Sequence, residues 1–256
     1  MFIILVEKSA KIIYNKRKGG DILMIVKLAD LIIEIKNKKD YTAQMCKDYI
    51  YTGMKPIDFS VESTRENMLV EIKKQPDYPL DYLESLCLYR QICEKILAYD
   101  ALLLHAAAIA VDGKAYLFTA VSGTGKTTHI NLWLKKFGSR AVIVNGDKPI
   151  VRRLGGRFHV CGTPWSGKEG LHTNINVPIQ GICILERAGK NTIAKISPQA
   201  GLHGLLTQTV RPHDVHKMDM MLSTLNALLD SVPLYRLGCN MDAEAAEVSY
   251  QGMCGE

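Results

Sequence analysis

The chain has 256 residues, 47% of them apolar and 23% charged, with 32 Lys and Arg against 26 Asp and Glu for a net charge of +6. That balance and length belong to a globular chain with a sizeable core, in one large domain or two small ones, and exclude a disordered or fibrous one. The modest positive charge suits anionic ligands such as nucleotides and is too small to argue for nucleic acid, so no nucleic-acid partner is expected.

Seven cysteines without a CxxC pair or a zinc-like His/Cys spacing predict reduced thiols. The opening apolar run, Met1-Phe-Ile-Ile-Leu-Val, is too short for a signal segment or a membrane span. The expectation is a cytoplasmic chain without a membrane partner, and a homo-oligomer is compatible with it.

In chain order, residues 1–23 read as a disordered or non-native extension that ends in a basic, glycine-containing linker. Residues 24–100 read as a small α/β lobe. Within it, 25–36 alternates as a strand, 41–51 is a short helix and 57–72 alternates as one or two more strands. Residues 80–97 form a helix whose apolar face is interrupted by Arg90.

From residue 101 to 256 the pattern is that of a larger α/β domain. Two strands, 102–110 and 114–119, flank Asp112-Gly113, a strong hairpin signal. A helix over 127–137 and a buried strand over 141–145 come next. Then follow a hairpin of 149–153 with 157–161 and a strand over 177–186 interrupted by Gly181. Helices over 199–210 and 215–231, a strand over 233–237 and a helix over 242–250 complete the reading.

The chemistry concentrates in Ala120-Val-Ser-Gly-Thr-Gly-Lys-Thr127, which fits the phosphate-loop pattern with Ala in place of the leading Gly. Gly123 and Gly125 let backbone N–H groups turn toward phosphate oxygens with no Cβ in the way. Lys126 reaches the β- and γ-phosphates, Thr127 offers a hydroxyl to Mg²⁺, and the helix N-terminus adds its unsatisfied amides. Ser122, Thr124 and Thr128 complete the cradle. The loop lies between an expected strand and an expected helix, as the pattern requires.

Asp147 follows the buried strand 141–145, 21 residues after Lys126, where a carboxylate can bind Mg²⁺ or accept a hydroxyl proton. The competing reading is a turn aspartate in Asn145-Gly-Asp147. Glu186-Arg187, at the end of a strand, reads as a surface ion pair. His105, on an apolar strand, reads either as a core histidine or as a partner of Asp147.

Ser122-Gly-Thr-Gly-Lys-Thr-Thr128, with His105 before it and Asp147 after it, resembles HPr serine kinase/phosphorylase and the ATP-dependent phosphoenolpyruvate carboxykinases. The resemblance covers roughly residues 102–252 and is specific at the loop. It implies a carboxykinase/HPr kinase-like P-loop core of mixed β-sheet with flanking helices, using ATP and Mg²⁺. It also implies Asp147 as the base, His105 as an active-site histidine, Glu169 as a metal-binding carboxylate beside Thr127 and Asp147, and Arg211 as an active-site arginine.

Lys148 stands where that family has the second aspartate of a pair, so one metal carboxylate is missing. The segment from Cys161 to Gly170 replaces the family's glycine-rich signature for HPr docking. The expected activity is transfer of the γ-phosphoryl group of ATP to a serine-type hydroxyl of a protein, peptide or small molecule. Carboxykinase-like phosphoryl transfer and a nucleotide-binding regulator without chemistry are the alternatives.

Overall fold

Residues 25–36, expected as one strand, fold as a hairpin of β2 (Ile22–Leu28) and β3 (Leu31–Asn37), paired antiparallel. Ala29 and Asp30 turn the chain with φ of 50° and 62°. Two left-handed residues in a two-residue turn match the twist of the flanking strands, and an Ala-Asp turn carries no glycine to announce it. The computed structural model describes residues 15–16 and 22–254. Most of the expected extension, 1–14 and 17–21, lies outside the described residues.

The chain divides into two compact units between Lys95 and Ile96. In the first, β1 (Asn15–Lys16) pairs with β2, and β3 pairs parallel with β4 (Phe59–Glu62). Helix α1 (Asp40–Met45) is shorter than expected, with a 3-10 turn at Lys47–Tyr49 after it.

The stretch 57–72 was expected as strand, but only β4 is one. Thr64 then caps α2 (Arg65–Lys74), accepting from the Asn67 amide at 3.2 Å. That cap satisfies one of the orphan donors of a new helix and stops the strand.

Arg90, the misfit on α3 (Leu80–Lys95), has a specific partner. Its Nε donates at 2.5 Å to Glu71 of α2, whose side chain is 2% exposed. Glu84, also buried, accepts from the amides of Lys38 and Lys39 at 2.8 and 2.9 Å and from Ser63 Oγ at 2.6 Å. Both buried carboxylates are therefore fully engaged, which is what lets them stay buried.

The second unit holds one sheet of nine strands. The apolar run 102–110, expected as one strand, breaks at Leu104-His105 into β5 (Ala101–Leu103) and β6 (Ala106–Val111). A hairpin through Asp112 and Gly113, with φ of 50° and 75°, leads to β7 (Lys114–Thr119). Helix α4 (Lys126–Phe137) and β8 (Ala141–Asn145) follow, then the hairpin of β9 (Ile150–Leu154) and β10 (Arg157–Cys161).

The long β11 (Asn176–Arg187) pairs with β10 at its start and with β7 further on, with a bulge between Ile179 and Gly181. The strand β12 (Thr192–Ile196) was not foreseen; it pairs antiparallel with β13 (Leu234–Cys239), which lies parallel to β11. Helices α5 (Pro198–Leu206), α6 (Val215–Ser231) and α7 (Glu244–Cys254) complete the unit. The result is a mixed α/β fold. Among the described residues no helix is long and apolar enough to cross a membrane.

Strand alternation sorts the core onto two faces. Ala107, Ile109, Tyr116 and Phe118 pack with Ile130 and Trp133 of α4 and with Ala246 and Met253 of α7. Ala106, Ala108, Ala110 and Leu117 face the other way, with Leu205 of α5 and Met221, Leu225 and Leu228 of α6. A sheet buried on both faces reads as a continuous apolar run, which is why the break at His105 left no pattern.

On the α4 face a buried polar knot joins α4 to α7. Trp133 Nε1 donates to Ser249 Oγ at 2.9 Å, and His129 Nε2 lies 3.1 Å from the same oxygen. His129 Nδ1 is buried without a partner, and burial pushes the imidazole pKa down to about 4. The folded protein thus keeps His129 neutral while the unfolded chain protonates it near its ordinary value, so acid favours unfolding between the two. Acidification from pH 7 to 5 is expected to cost about 2 kcal/mol through this residue. Urea unfolding at both pH values checks it: His129→Asn should flatten the dependence by that amount.

Candidate functional site

β7 and β8 both pair antiparallel with β6 between them, so they run parallel to each other, and β11 runs parallel to β7. Their C-terminal ends share one edge of the sheet, and β6 begins at that edge. The carboxyl ends of parallel strands are where α/β sheets receive ligands. Here they gather the glycine loop after β7, Asn145 to Lys148 after β8, Arg187 at the end of β11 and His105 before β6.

In the loop, Gly123 and Gly125 have φ of 80° and 120°, and nothing lies within 4 Å of a Cβ built on either. The space that side chains would fill is open, and Gly125 in particular holds a backbone that L-residues rarely adopt. Thr124 fixes the turn from within: its amide and its hydroxyl both donate to the Val121 carbonyl, at 3.2 and 2.8 Å. Gly125 is the N-cap of α4, with no side-chain cap on the first-turn amides. Such uncapped amides and the positive end of the helix dipole form an anion site.

Lys126 opens α4 with a side chain that is largely buried (9% exposed), and its Nζ donates to the Ala120 carbonyl at 3.1 Å. Burial pushes its pKa down, the Asp147 carboxylate opposes that fall and the Lys148 ammonium adds to it. Thr127 is partly buried, and Ser122 and Thr128 are exposed on the loop and first turn.

Asp147 is the electrostatic centre of the edge. Its Oδ1 lies 2.9 Å from His105 Nε2, and its Oδ2 accepts from Lys148 Nζ at 2.6 Å. Burial pushes the carboxyl pKa up, yet the hydrogen bonds from His105 and Lys148 outweigh it and hold the group well below the usual carboxylate range. His105 therefore stands at a strand break, 30% exposed, as the partner of Asp147. Its amide donates to the Gln208 carbonyl, and its carbonyl accepts from Thr119 Oγ1.

Two residues that sequence reasoning passed over hold Asp147 in place. Asn145, fully buried, accepts from the amides of Asp147 and Lys148 at 2.8 and 2.7 Å through Oδ1. Its Nδ2 donates to the Thr163 carbonyl at 2.9 Å, and the Thr163 hydroxyl donates to the Lys148 carbonyl at 2.8 Å. Asn-Gly-Asp carries an Asx-turn signal for the first pair. Nothing local announces Thr163.

The segment from Cys161 onward crosses this edge. Trp165 and Ser166 are buried, and Gly167, Lys168, Glu169 and Gly170 are exposed. Gly167, at φ 79°, comes so close that a Cβ there would stand 3.1 Å from Asp147 Cβ. Gly167→Ala is expected to cost ~1–2 kcal/mol in backbone strain and to displace the carboxylate. Thermal unfolding measures the first effect, and loss of any Asp147-dependent rate measures the second.

Arg211 is exposed, two residues beyond Thr209, whose backbone bridges to Leu104 next to His105. Glu186-Arg187 is not the mutual pair expected. Glu186 pairs with Arg236 at 3.3 Å, and Arg187 donates to the carbonyls of Gly123 and Thr124 at 2.5 and 3.4 Å.

Among the described residues no three His, Cys, Asp or Glu side chains gather as a metal set. Both Asp147 oxygens are engaged by His105 and Lys148, and Glu169 is exposed on the crossing segment.

These features define a mixed α/β protein with a glycine loop and an Asp-His-Lys cluster on one edge of its sheet. Residues 68–244 match the family model described as "SynChlorMet cassette protein ScmC", and the chain belongs to that family. No curated protein matches it. Among solved structures it is similar to the Hpr(Ser) kinase/phosphatase from Coxiella burnetii at 10% identity and a TM-score of 0.29, covering 50% of this chain and 91% of that one.

Proposed function

We propose that the chain is an ATP-dependent phosphotransferase with a P-loop core, of the HPr serine kinase and carboxykinase type. The observation that carries this reading is the convergence of an uncapped helix N-terminus, buried Lys126 and ionised Asp147 on one strand edge. Ser122 to Thr128 bind the phosphates of ATP, the open glycine positions let backbone amides approach them, and Lys126 balances charge on the γ-phosphoryl group. Thr127 and, from the crossing segment, Glu169 offer oxygens to the Mg²⁺ that accompanies the nucleotide.

The acceptor is a serine-type hydroxyl on a protein, peptide or small molecule. Its oxygen forms a bond to the γ-phosphorus as the bond to the ADP oxygen breaks, and its proton passes to Asp147 and on to water. Asp147 is ionised before the acceptor arrives, so it first orients the hydroxyl and then takes its proton. His105 and Lys148 steady the carboxylate, and Arg211 adds positive charge on the acceptor side. A cytoplasmic setting, with ATP at hand and thiols reduced, suits this reading.

A second reading rests on Lys148. Its ammonium closes one Asp147 oxygen, the arrangement expected of a nucleotide-binding regulator without transfer chemistry. Incubation with γ-labelled ATP and a panel of hydroxyl-bearing peptides and metabolites separates the two. Label on an acceptor, lost in Asp147→Asn, supports the transferase; tight binding with no labelled acceptor supports the regulator.

A further inference from the structure

Arg187 is exposed at the last position of β11. Its Nη2 donates to the Gly123 carbonyl at 2.5 Å and its Nε to the Thr124 carbonyl at 3.4 Å. Two consecutive carbonyls of the loop are thus held from one side by one planar fork of donors. Among the described residues no ion pair engages the guanidinium, and the adjacent Glu186 pairs with Arg236 at 3.3 Å.

The consequence follows from peptide geometry. In a trans peptide the N–H points opposite to the C=O. Holding the Gly123 carbonyl directs the Thr124 N–H away from Arg187, and that amide turns inward to the Val121 carbonyl at 3.2 Å. Holding the Thr124 carbonyl likewise sets the Gly125 N–H on the side away from the arginine, next to the first-turn amides of α4. A cation on a carbonyl also polarises the peptide group, so the opposite N–H becomes the stronger donor. Glycines at 123 and 125 leave the loop free to adopt many other curves; the Thr124 bonds to Val121 hold the turn from within, and the Arg187 contacts add a hold from the end of β11.

We propose that Arg187 is a positioning residue that holds the loop in its anion-receiving curvature before any ligand arrives. It acts through the backbone and sets affinity for the phosphates, not the rate of a chemical step. A lysine can satisfy one carbonyl but not both, since the ammonium lacks the planar fork. The affinity part of the inference rests on the proposed nucleotide site; the loop part does not.

The test uses the full chain as wild type, Arg187→Ala and Arg187→Lys. Amide hydrogen exchange of residues 121–127 is measured without ligand, and MgATP is then titrated at equilibrium. Arg187→Ala is expected to speed exchange in the loop by ~10-fold, with exchange elsewhere unchanged, as one charge-assisted contact is lost from a locally opening segment. It should weaken MgATP binding by ~10-fold, leave kcat unchanged at saturating nucleotide, and be partly rescued in Arg187→Lys.

Unchanged loop exchange in Arg187→Ala overturns the inference whether or not nucleotide binds. Faster exchange with unchanged affinity overturns it as well. Faster exchange in a protein whose wild type binds no MgATP supports the brace and removes the nucleotide reading instead.

Discussion

Lys126→Ala is expected to lower ATP turnover by ~10²–10³-fold, the loss that follows removal of one preorganised charge donor at a reacting centre. Both kcat and nucleotide affinity should fall, because in the proposed phosphotransferase the ammonium would serve the bound phosphates as well as the charge that develops during transfer. The fold should survive. Lys126 Nζ makes a hydrogen bond to the Ala120 carbonyl, and its burial already disfavours its charge, so the substitution removes a group that is poorly solvated in the absence of ligand. Lys126→Arg should not rescue turnover, since a planar guanidinium does not occupy the place of a compact ammonium. Steady-state kinetics beside a thermal melt give the answer. A loss of turnover matched by a loss of folded protein would sink the assignment.

If Asp147 takes the acceptor's proton as proposed, Asp147→Asn is expected to lower kcat by ~10²–10⁴-fold, the usual span for a positioned proton acceptor, with MgATP affinity nearly unchanged. The split is the informative part: Lys126→Ala moves both quantities, Asp147→Asn only one. The same variant has a stability signature. The folded carboxyl is held well below its ordinary pKa by His105 and Lys148 against the opposing effect of burial. Its stabilisation is therefore fully present above the unfolded value near ~4 and is lost as pH falls through the folded one. Wild type should exceed Asp147→Asn in stability by ~1–3 kcal/mol at pH 7, and the gap should close on strong acidification. Denaturant unfolding across that range tests the sign.

What could be read in the sequence was the placement of residues that lie contiguously along the chain. The loop of Ser122 to Thr128 stands between a strand and a helix, β7 and α4, as its pattern of glycines requires. Asp147 was legible because a buried strand ends two residues before it. The clamp around it was not: Asn145 and Thr163 are 18 residues apart, and a buried threonine hydroxyl has no periodicity. Arg187 was misread for the same reason, since its contact spans 64 residues while Glu186 beside it offered a local partner.

The fold errors have local causes too. Apolar runs do not mark where a strand buried on both faces breaks, so β5 and β6 merged. Residues 57–72 alternate well enough for a strand, and only the cap at Thr64 shows that α2 begins. The hairpin at Ala29-Asp30 was missed because its left-handed turn is built without glycine.

Titration calorimetry of the wild-type chain with MgATP decides whether the glycine loop is a nucleotide site. One site per chain is expected, competed by ADP and by a non-hydrolysable ATP analogue, and lost in Lys126→Ala. Heat that is absent at millimolar nucleotide, or that persists unchanged in Lys126→Ala, would contradict it.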